Sequence, residues 1–260
     1  MLDQNKKHKG DIMFSLNNGG LFTLIYPDGA IIHNTNLFYA TYFGFVLLIV
    51  AVSYLLGSIN SAIIVSRVLY HDDIRKHGSG NAGLTNTLRT YGGRAAGLTL
   101  LGDVLKTVIA ILFAAVLFGF NYVKGVSTGE GFCYVAGLFS VLGHIFPIYY
   151  KFKGGKGVLS TAAMVLMLAP GVFLLLLILF VLIVFMSRYV SLGSICAAGL
   201  FPIVLHSYFL VILKAQPFGL ITLTSVILAV MIIVFHKENI KRIQSRTERK
   251  LSFKKNGDAQ

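Results

Sequence analysis

The fold is decided by residues 157–186, which read GVLSTAAMVLMLAPGVFLLLLILFVLIVFM and contain no charged side chain. A transmembrane helix needs about 20 consecutive apolar residues, and this stretch is longer than a single crossing requires. Pro170 and Gly171 interrupt it, and a proline followed by a glycine forms either a kink or a tight turn. We expect a turn here, so that residues 157–168 and 170–187 form two short spans.

The remainder of the chain also has the composition of a membrane domain. It is 55% hydrophobic and only 13% charged, whereas soluble domains carry about 25% charged residues. So few charges cannot cover a water-exposed surface, which excludes an ordinary soluble domain. Five further apolar runs lie at 38–66, 83–118, 131–149, 191–212 and 217–236. The sequence therefore predicts an all-α integral membrane protein with about seven transmembrane helices, and five is the main competing count.

Lysine and arginine predict the orientation, because the cytoplasmic loops of membrane proteins are enriched in both. Seven crossings place 17 of the 23 Lys and Arg residues on the side of the C-terminus and 5 on the other side. We therefore expect a multi-pass protein of the cell membrane with its N-terminus outside and its C-terminus in the cytoplasm. The expected divisions are a polar, partly disordered extension at 1–36, a seven-helix membrane domain at 37–240 and a basic cytoplasmic tail at 241–260.

The net charge of +13 indicates an anionic partner, which is nucleic acid, an anionic lipid or an anionic substrate. Nucleic acid is not expected, because most aromatic residues lie inside apolar runs rather than among the basic residues. The two cysteines, Cys133 and Cys196, lie in apolar segments, and no Cys/His cluster suggests a metal site. Neither a metal nor a cofactor is expected.

A glycine-rich segment, GSGNAGLTNTLRTYG, occupies residues 78–92. Glycines allow the backbone to approach a ligand closely, and a helix N-terminus adds a partial positive charge. Arg89 lies one or two turns into the expected helix, where its guanidinium can hold a phosphate by two hydrogen bonds. The alternative is a flexible turn between spans, but the density of donors favours an anion site. Its candidate residues are Gly78, Ser79, Gly80, Asn81, Asn86 and Arg89.

A second segment, KGGKG, occupies residues 153–157 and again precedes an apolar helix. The lysines alone are explained by the basic cytoplasmic flank of a span. The two glycines between them favour a second phosphate cradle, with Lys153, Gly154, Gly155, Lys156 and Gly157 as its candidate residues.

Three polar residues interrupt apolar runs. Asp103 and Lys106 are three residues apart on one helix face and predict a structural ion pair, since unpaired charges are costly inside a membrane. His144 is expected to be packed and hydrogen-bonded rather than catalytic, because histidine needs a partner for its chemistry.

Polar residues also lie near the ends of the last two spans. Ser194 is one turn into the sixth span, from which it can reach a ligand. His236 and Asn239 share one helix face at the membrane boundary. Glu248 is expected to tie the tail back to a basic loop.

These segments together closely resemble the bacterial acyl-phosphate:glycerol-3-phosphate acyltransferase family (PlsY type), from Tyr54 to about Glu248. The resemblance is carried by five motifs in order: YLLGS at 54–58, DIRKHGSGNAGLTN at 73–86, GHIFP and then FKGGKGV within 143–158, RYVSLGS at 188–194, and HKENIKR at 236–242.

The resemblance implies an enzyme of phospholipid biosynthesis with seven membrane helices. It would transfer a fatty acyl group from acyl phosphate to the 1-position of glycerol 3-phosphate, giving lysophosphatidic acid and phosphate. It also implies that the substrate site is lined by Ser79, Arg89, Lys156, Ser194, His236 and Asn239, and that Glu248 is structural.

The chain departs from the family pattern at a few positions. The family often has proline at Asn60, alanine at Leu84 and Leu159, and glycine at Arg246. The first 36 residues have no recognised counterpart. Of these departures, only Arg246 bears on a residue with an implied role, since it lies two residues before Glu248.

The residues leave two questions of mechanism and class open. The group that accepts the proton of the glycerol hydroxyl is either His236 or a phosphate oxygen of the donor. None of the seven histidines has an aspartate five positions on, which removes the His-x4-Asp mechanism of the soluble-type glycerolipid acyltransferases. A membrane transporter for an anionic solute is the alternative function, with the basic loops as its vestibule. The sequence sets neither the acyl-chain preference nor the oligomeric state.

Overall fold

The computed structural model describes residues 20–25, 35–119, 128–217 and 219–251, and these form α-helices joined by short connections. The helices are α1 (Gly20–Ile25), α2 (Thr35–Ser58), α3 (Ser61–Tyr70), α4 (Leu84–Tyr91), α5 (Gly93–Phe118), α6 (Thr128–Ile145), α7 (Val158–Leu168), α8 (Pro170–Ser187), α9 (Val190–Ser207), α10 (Gly219–Phe235) and α11 (Lys237–Gln244).

Helix α6 forms the centre of the bundle and packs against α2, α5, α7 and α10. Its contact with α2 is close because both helices place glycine there: a Cβ atom on Gly57 would overlap the carbonyl oxygen of Ser140, and one on Gly143 would overlap that of Tyr54. Small residues let membrane helices approach in this way. In contrast, α8 is apolar around its circumference and exposes Phe185 and Met186, as expected of a helix that faces lipid.

The expectation of an all-helical membrane protein is confirmed. Among the described residues, five helical segments are long and apolar enough to cross a membrane, and six if α10 and α11, bent by 52°, form one broken span. The turn expected at Pro170 is also present, since Pro170 begins α8. However, α7 has only 11 residues, about 16 Å of helix against about 30 Å of hydrocarbon.

Two expected runs are each divided into two helices. The run over 38–66 breaks at Ile59 and Asn60, where the side chain of Asn60 accepts a hydrogen bond from the amide of Ile63 (3.1 Å) and caps α3. The run over 83–118 breaks at Gly92, whose φ of +84° ends α4. Apolar composition predicted both stretches but not the breaks, because capping is local chemistry that a hydropathy pattern does not report.

Part of the N-terminal extension forms α1, which packs against the end of α5. Gly20 adopts a φ of +64°, and a Cβ atom there would lie 2.5 Å from the carbonyl oxygen of Val116. Phe22 packs edge-on against Tyr42 of α2. The partial disorder expected for 1–36 falls largely outside the described residues.

Candidate active site

The first glycine-rich loop is held by the side chain of Asn86, at the start of α4. Its amide group donates to the carbonyl oxygens of His77 (3.0 Å) and Asn81 (3.1 Å), and its oxygen accepts from the amide of Ser79 (3.0 Å). Asn86 is buried. The loop is thus wrapped around Asn86, which organises the backbone that surrounds it.

Two glycines of this loop adopt conformations that other residues rarely take. Gly78 has a φ of +60° and Gly80 a φ of +72°. A Cβ atom on Gly78 would also overlap the side-chain oxygen of Asn86. Glycine is therefore required for the tight path of the backbone at Gly78.

Arg75 joins the first loop to the second. Its guanidinium pairs with Asp73 (2.6 Å) and also donates to the carbonyl oxygens of Tyr150 (3.1 Å) and Lys153 (3.2 Å). The sequence did not single out Arg75, because Tyr150 and Lys153 lie more than seventy residues away in the chain.

The second loop lies directly on the C-terminal end of α6. The amide of Gly154 donates to the carbonyl oxygen of Ile145 (3.1 Å), and the amide of Gly155 donates to that of His144 (3.1 Å). A Cβ atom on Gly155 would lie 2.7 Å from the carbonyl oxygen of Ala82, in the first loop. The two loops therefore meet at Gly155.

Lys156 projects from the second loop towards the C-terminal segment, where its ammonium group donates to the side-chain oxygen of Asn239. Burial, reinforced by the positive charge of Arg242, lowers the pKa of Lys156 to about 8, and the carboxylate of Glu248 offsets only part of this effect. An ammonium group in this position gains from a nearby dianion, because a phosphate supplies the negative charge that the surroundings lack.

Asn239 lies between Lys156 and a buried carboxylate. Its amide donates to Glu248 (2.7 Å), which also accepts from Ser191 (2.8 Å) and Arg242 (2.7 Å). Burial alone would raise the pKa of Glu248, but the hydrogen bonds from Arg242, Asn239 and Ser191 outweigh it and lower this pKa. Glu248 thus ties the tail to α9 and α11.

His236 lies at the bend between α10 and α11 and is buried. Its Nδ1 lies 2.7 Å from the carbonyl oxygen of Ile232, so this nitrogen carries a proton and donates it. In the neutral ring, the lone pair is then on Nε2, the nitrogen that is able to accept a proton or a hydrogen bond.

The tail passes over α4 and reaches α9. Arg89 donates to the carbonyl oxygen of Arg249 (3.2 Å), and the amide of Leu251 donates to that of Arg188 (2.8 Å). The tail therefore places Arg89 on the same side of the bundle as Glu248 and its partners.

The glycerol-3-phosphate acyltransferase family model matches residues 47–246. The chain belongs to this family. Glycerol-3-phosphate acyltransferase of Clostridioides difficile is 41% identical over 212 residues, covering 80% of this chain and 97% of that protein. The Bacillus subtilis enzyme of the same name is 35% identical, covering 79% of this chain and 97% of its own length.

Solved structures of an acyltransferase give the same result for the fold. A crystal structure of PlsY, an integral membrane glycerol 3-phosphate acyltransferase, in its glycerol 3-phosphate form is 32% identical and superposes with a TM-score of 0.67, covering 80% of this chain and 96% of that one. The lysophosphatidic acid form of PlsY is 31% identical, with a TM-score of 0.65, and covers 80% and 95% of the two chains.

Not every residue expected in the acyltransferase site is placed as a direct ligand. Ser79 and Lys153 are exposed on the two loops, and Asn81 is partly buried in the first. Asn86 uses its side chain to hold the loop, so it remains a candidate through the backbone that it organises. Ser194 donates to the carbonyl oxygen of Val190 in its own helix (3.0 Å).

The sequence missed Ser191, one turn before Ser194. Ser191 donates to Glu248, and a serine at the start of a helix gave no signal beyond an ordinary cap. Gly157, in contrast, has a φ of +81° as the N-cap of α7, and a Cβ atom there would lie 2.7 Å from Val141. It shapes the backbone between Lys156 and α7.

Proposed function

We propose that the protein transfers a fatty acyl group from acyl phosphate to the 1-position of glycerol 3-phosphate, giving lysophosphatidic acid and inorganic phosphate. One observation carries the proposal: two glycine-rich loops meet at Gly155, and Lys156 extends from that junction to Asn239. The relatives are named for glycerol 3-phosphate, and the related PlsY structures are glycerol 3-phosphate and lysophosphatidic acid forms, which are the acceptor and the product of this reaction.

The charge of the site fits two phosphorylated substrates. Together they bring about four negative charges at neutral pH, since each phosphate ester carries close to two. Arg89 and Lys156 supply positive charge, and the glycine loops supply backbone amides that can point at phosphate oxygens. Such a site binds and orients two anions before any chemistry occurs.

The reaction follows from this orientation. The oxygen at position 1 of glycerol 3-phosphate attacks the acyl carbonyl, a new ester bond forms, and the bond from the acyl carbon to the phosphate oxygen breaks. The phosphate leaves without protonation by an enzyme acid, because the donor is a mixed anhydride. Backbone amides, together with the hydroxyl of Ser79 or the side-chain amide of Asn239, stabilise the oxyanion. The rest of the rate acceleration comes from the positioning of the two substrates.

In the proposed mechanism a phosphate oxygen of the donor accepts the hydroxyl proton, and His236 orients the substrate through Nε2. The other nitrogen of His236 donates to the backbone carbonyl oxygen of Ile232 rather than to a carboxylate. A histidine base is normally oriented and made more basic by a carboxylate partner. This arrangement supports the substrate-assisted version over a histidine base.

We further propose seven crossings, with α7 as a short span that pairs with α8 across the turn at Ala169. The N-terminus then lies outside and the C-terminus in the cytoplasm, in agreement with the bias of 17 Lys and Arg residues against 5. The catalytic unit is the membrane domain at 37–240, with the extension at 1–36 and the tail at 241–260 as additions. The active site then faces the cytoplasm of the cell membrane.

The test is release of phosphate by the purified protein in detergent, supplied with glycerol 3-phosphate and palmitoyl phosphate. We expect phosphate release that requires both substrates. When palmitoyl-CoA replaces palmitoyl phosphate, the leaving group is the CoA thiol, and we expect no release of free thiol. Arg89→Ala and Lys156→Ala should reduce kcat/KM by at least about 100-fold, the scale expected when a charged transition-state contact is lost. No release above an empty-detergent control, together with glycerol 3-phosphate uptake into proteoliposomes, would favour the transporter instead.

A further inference from the structure

A buried charged cluster lies beneath the second glycine loop and is used by no step of the proposed reaction. It consists of Asp103 and Lys106 of α5 and His144 of α6, which are 1%, 5% and 3% exposed. The ion pair expected from the sequence is present, with 2.8 Å between the ammonium nitrogen of Lys106 and the carboxylate of Asp103. Groups of this kind are costly inside a membrane domain, so a role beyond packing is expected of them.

The ammonium group of Lys106 contacts three acceptor groups. Besides its ion pair with Asp103, it donates hydrogen bonds to the carbonyl oxygen of Ile59 (2.9 Å) and to Nδ1 of His144 (2.9 Å). Ile59 lies in the break between α2 and α3, where the backbone carbonyl is not committed to a continuous helix. Lys106 therefore links α5, the α2–α3 break and the end of α6 at one point.

These contacts determine the protonation of His144. Nδ1 of His144 lies 2.9 Å from the ammonium nitrogen of Lys106 and 3.5 Å from the carboxylate of Asp103. The ammonium group is the nearer partner and has no lone pair, so Nδ1 accepts the hydrogen bond from Lys106. The neutral ring then carries its proton on Nε2. A Cβ atom on Gly155 would overlap this Nε2, which shows that the ring edge lies directly against the backbone of the second loop.

His144 also holds the loop through its backbone. Its carbonyl oxygen accepts from the amide of Gly155 (3.1 Å), and a Cβ atom on Gly154 would overlap the same oxygen. The loop thus contacts both the backbone and the ring of His144, and it does so at Gly155, the residue before Lys156.

We propose that Asp103, Lys106 and His144 are positioning residues for the phosphate site: the buried ammonium group fixes the orientation of the His144 ring, and the ring supports the Gly154–Gly155 backbone that carries Lys156. This proposal rests on the proposed function for the identity of the ligand, but the placement of the loop is independent of it.

Two variants and a matched control test this role. His144→Asn keeps an acceptor near the position of Nδ1, so that Lys106 stays bonded, but removes the ring edge that contacts Gly155. The double variant Asp103→Asn/Lys106→Met removes the ion pair as a unit and leaves the histidine. The control is Thr107→Val, which removes the hydrogen bond between Thr107 and Ser140 (3.2 Å), joining the same two helices, and the one from Thr107 to the backbone carbonyl oxygen of Asp103 (3.1 Å); neither bond involves the loop.

The first readout is hydrogen–deuterium exchange of a peptide covering residues 151–158, in purified protein without substrate. His144→Asn and the double variant should exchange at least about tenfold faster than wild type in this peptide, whereas Thr107→Val should not differ there. Loop exchange in His144→Asn as slow as in Thr107→Val would overturn the proposal. This readout needs no turnover, so it tests the positioning role even if the protein does not acylate glycerol 3-phosphate.

The second readout is steady-state kinetics with glycerol 3-phosphate and palmitoyl phosphate. Misplacement of a catalytic group by about 1 Å costs about 100-fold in rate, so we expect kcat/KM in His144→Asn to fall by about 10- to 100-fold. One of the two substrates should show a raised KM in His144→Asn, and it should be the same substrate that shows a raised KM in Lys156→Ala. A uniform loss of active protein, with both KM values unchanged, would show a structural role only and contradict the positioning role.

Discussion

The side-chain amide of Asn239 donates to the carboxylate of Glu248 at 2.7 Å, and its oxygen accepts from the ammonium group of Lys156. One side chain therefore connects the second glycine loop to the C-terminal tail. Asn239 has a fixed orientation because each end has a partner of the matching kind. The position of Lys156 thus depends on a carboxylate that need not touch the substrate.

The first prediction concerns that carboxylate. Glu248→Ala should lower the free energy of unfolding by about 2–4 kcal/mol, because it leaves Ser191, Asn239 and Arg242 as donors with no acceptor in a partly buried place. It should also lower kcat/KM, since Asn239 is then free to turn away from Lys156. Thermal unfolding in detergent and phosphate release measure the two effects.

Glu238→Ala is the matched control for this prediction. Its side chain is 58% exposed, and its carboxylate lies 3.4 Å from the ammonium group of Lys241, whose side chain is 71% exposed. Exposed pairs contribute about 0–1 kcal/mol, so stability and activity should remain close to wild type. Equal losses in both glutamate variants would show that the tail is sensitive to any loss of negative charge and not to the contacts of Glu248.

The second prediction concerns pH. Lys156 has a pKa of about 8 in the folded protein without substrate, and only its ammonium form binds a phosphate dianion. Because the second pKa of a phosphate ester is about 6, the substrate charge is constant above pH 7. We therefore expect kcat/KM to fall above pH 8, approaching tenfold per pH unit.

Stability changes with pH in the opposite direction to kcat/KM. A lysine whose folded pKa lies below its unfolded value binds fewer protons in the folded state, so the unfolded chain takes up more between pH 8 and about 10. Stability without substrate should rise with pH over this window. In Lys156→Arg the side chain stays charged at every pH of this window, so its residual kcat/KM should not fall above pH 8. If kcat/KM fell above pH 8 equally in the variant and in the wild type, another group would be responsible for the fall.

The third prediction concerns Arg246, which occupies a position where the family often has glycine. Arg246 has a φ of +59° just after α11, and the amides of Thr247 and Glu248 donate to the carbonyl oxygen of Arg242 (2.8 and 3.0 Å). This is the geometry of a helix C-terminus that favours glycine. Arginine in place of glycine therefore leaves the backbone path to Glu248 intact, but it places a non-glycine residue in the left-handed conformation, which is strained.

We expect Arg246→Gly to keep or slightly raise the melting temperature, since it removes a strain of about 1 kcal/mol. Arg246→Val should lower the stability by about 1–2 kcal/mol, because a β-branched residue fits a positive φ poorly. Both variants remove the same charge, so each controls for the other in a thermal melt. If glycine were as destabilising as valine, the guanidinium and not the backbone would be the important feature of Arg246.

Sequence reasoning succeeded where the deciding chemistry lies within one or two helical turns. The break at Pro170 and the pairing of Asp103 with Lys106 depend on proline geometry and on the spacing of a helix. Apolar composition was sufficient for the membrane fold, because lipid requires helices whose backbone groups are satisfied internally.

Sequence reasoning failed where a side chain bonds to a residue that is far away in the chain. The guanidinium of Arg75 bonds to Tyr150 and Lys153, and Ser191 bonds to Glu248 fifty-seven residues later. No periodicity encodes such pairs, because they depend on how helices pack and not on how one helix is patterned.

The last prediction separates the two candidates for the proton acceptor. His236→Ala should retain measurable kcat at saturating substrate, with most of its loss in KM, because Nε2 of His236 then only orients the substrate and a phosphate oxygen of the donor takes the proton. The loss of a positioning hydrogen bond costs about 1–3 kcal/mol, or about 5- to 150-fold. His206→Ala is the control, since His206 lies near the end of α9 and is exposed. A fall in kcat of the order of 10⁴-fold in His236→Ala, with KM unchanged, would instead identify histidine as the general base.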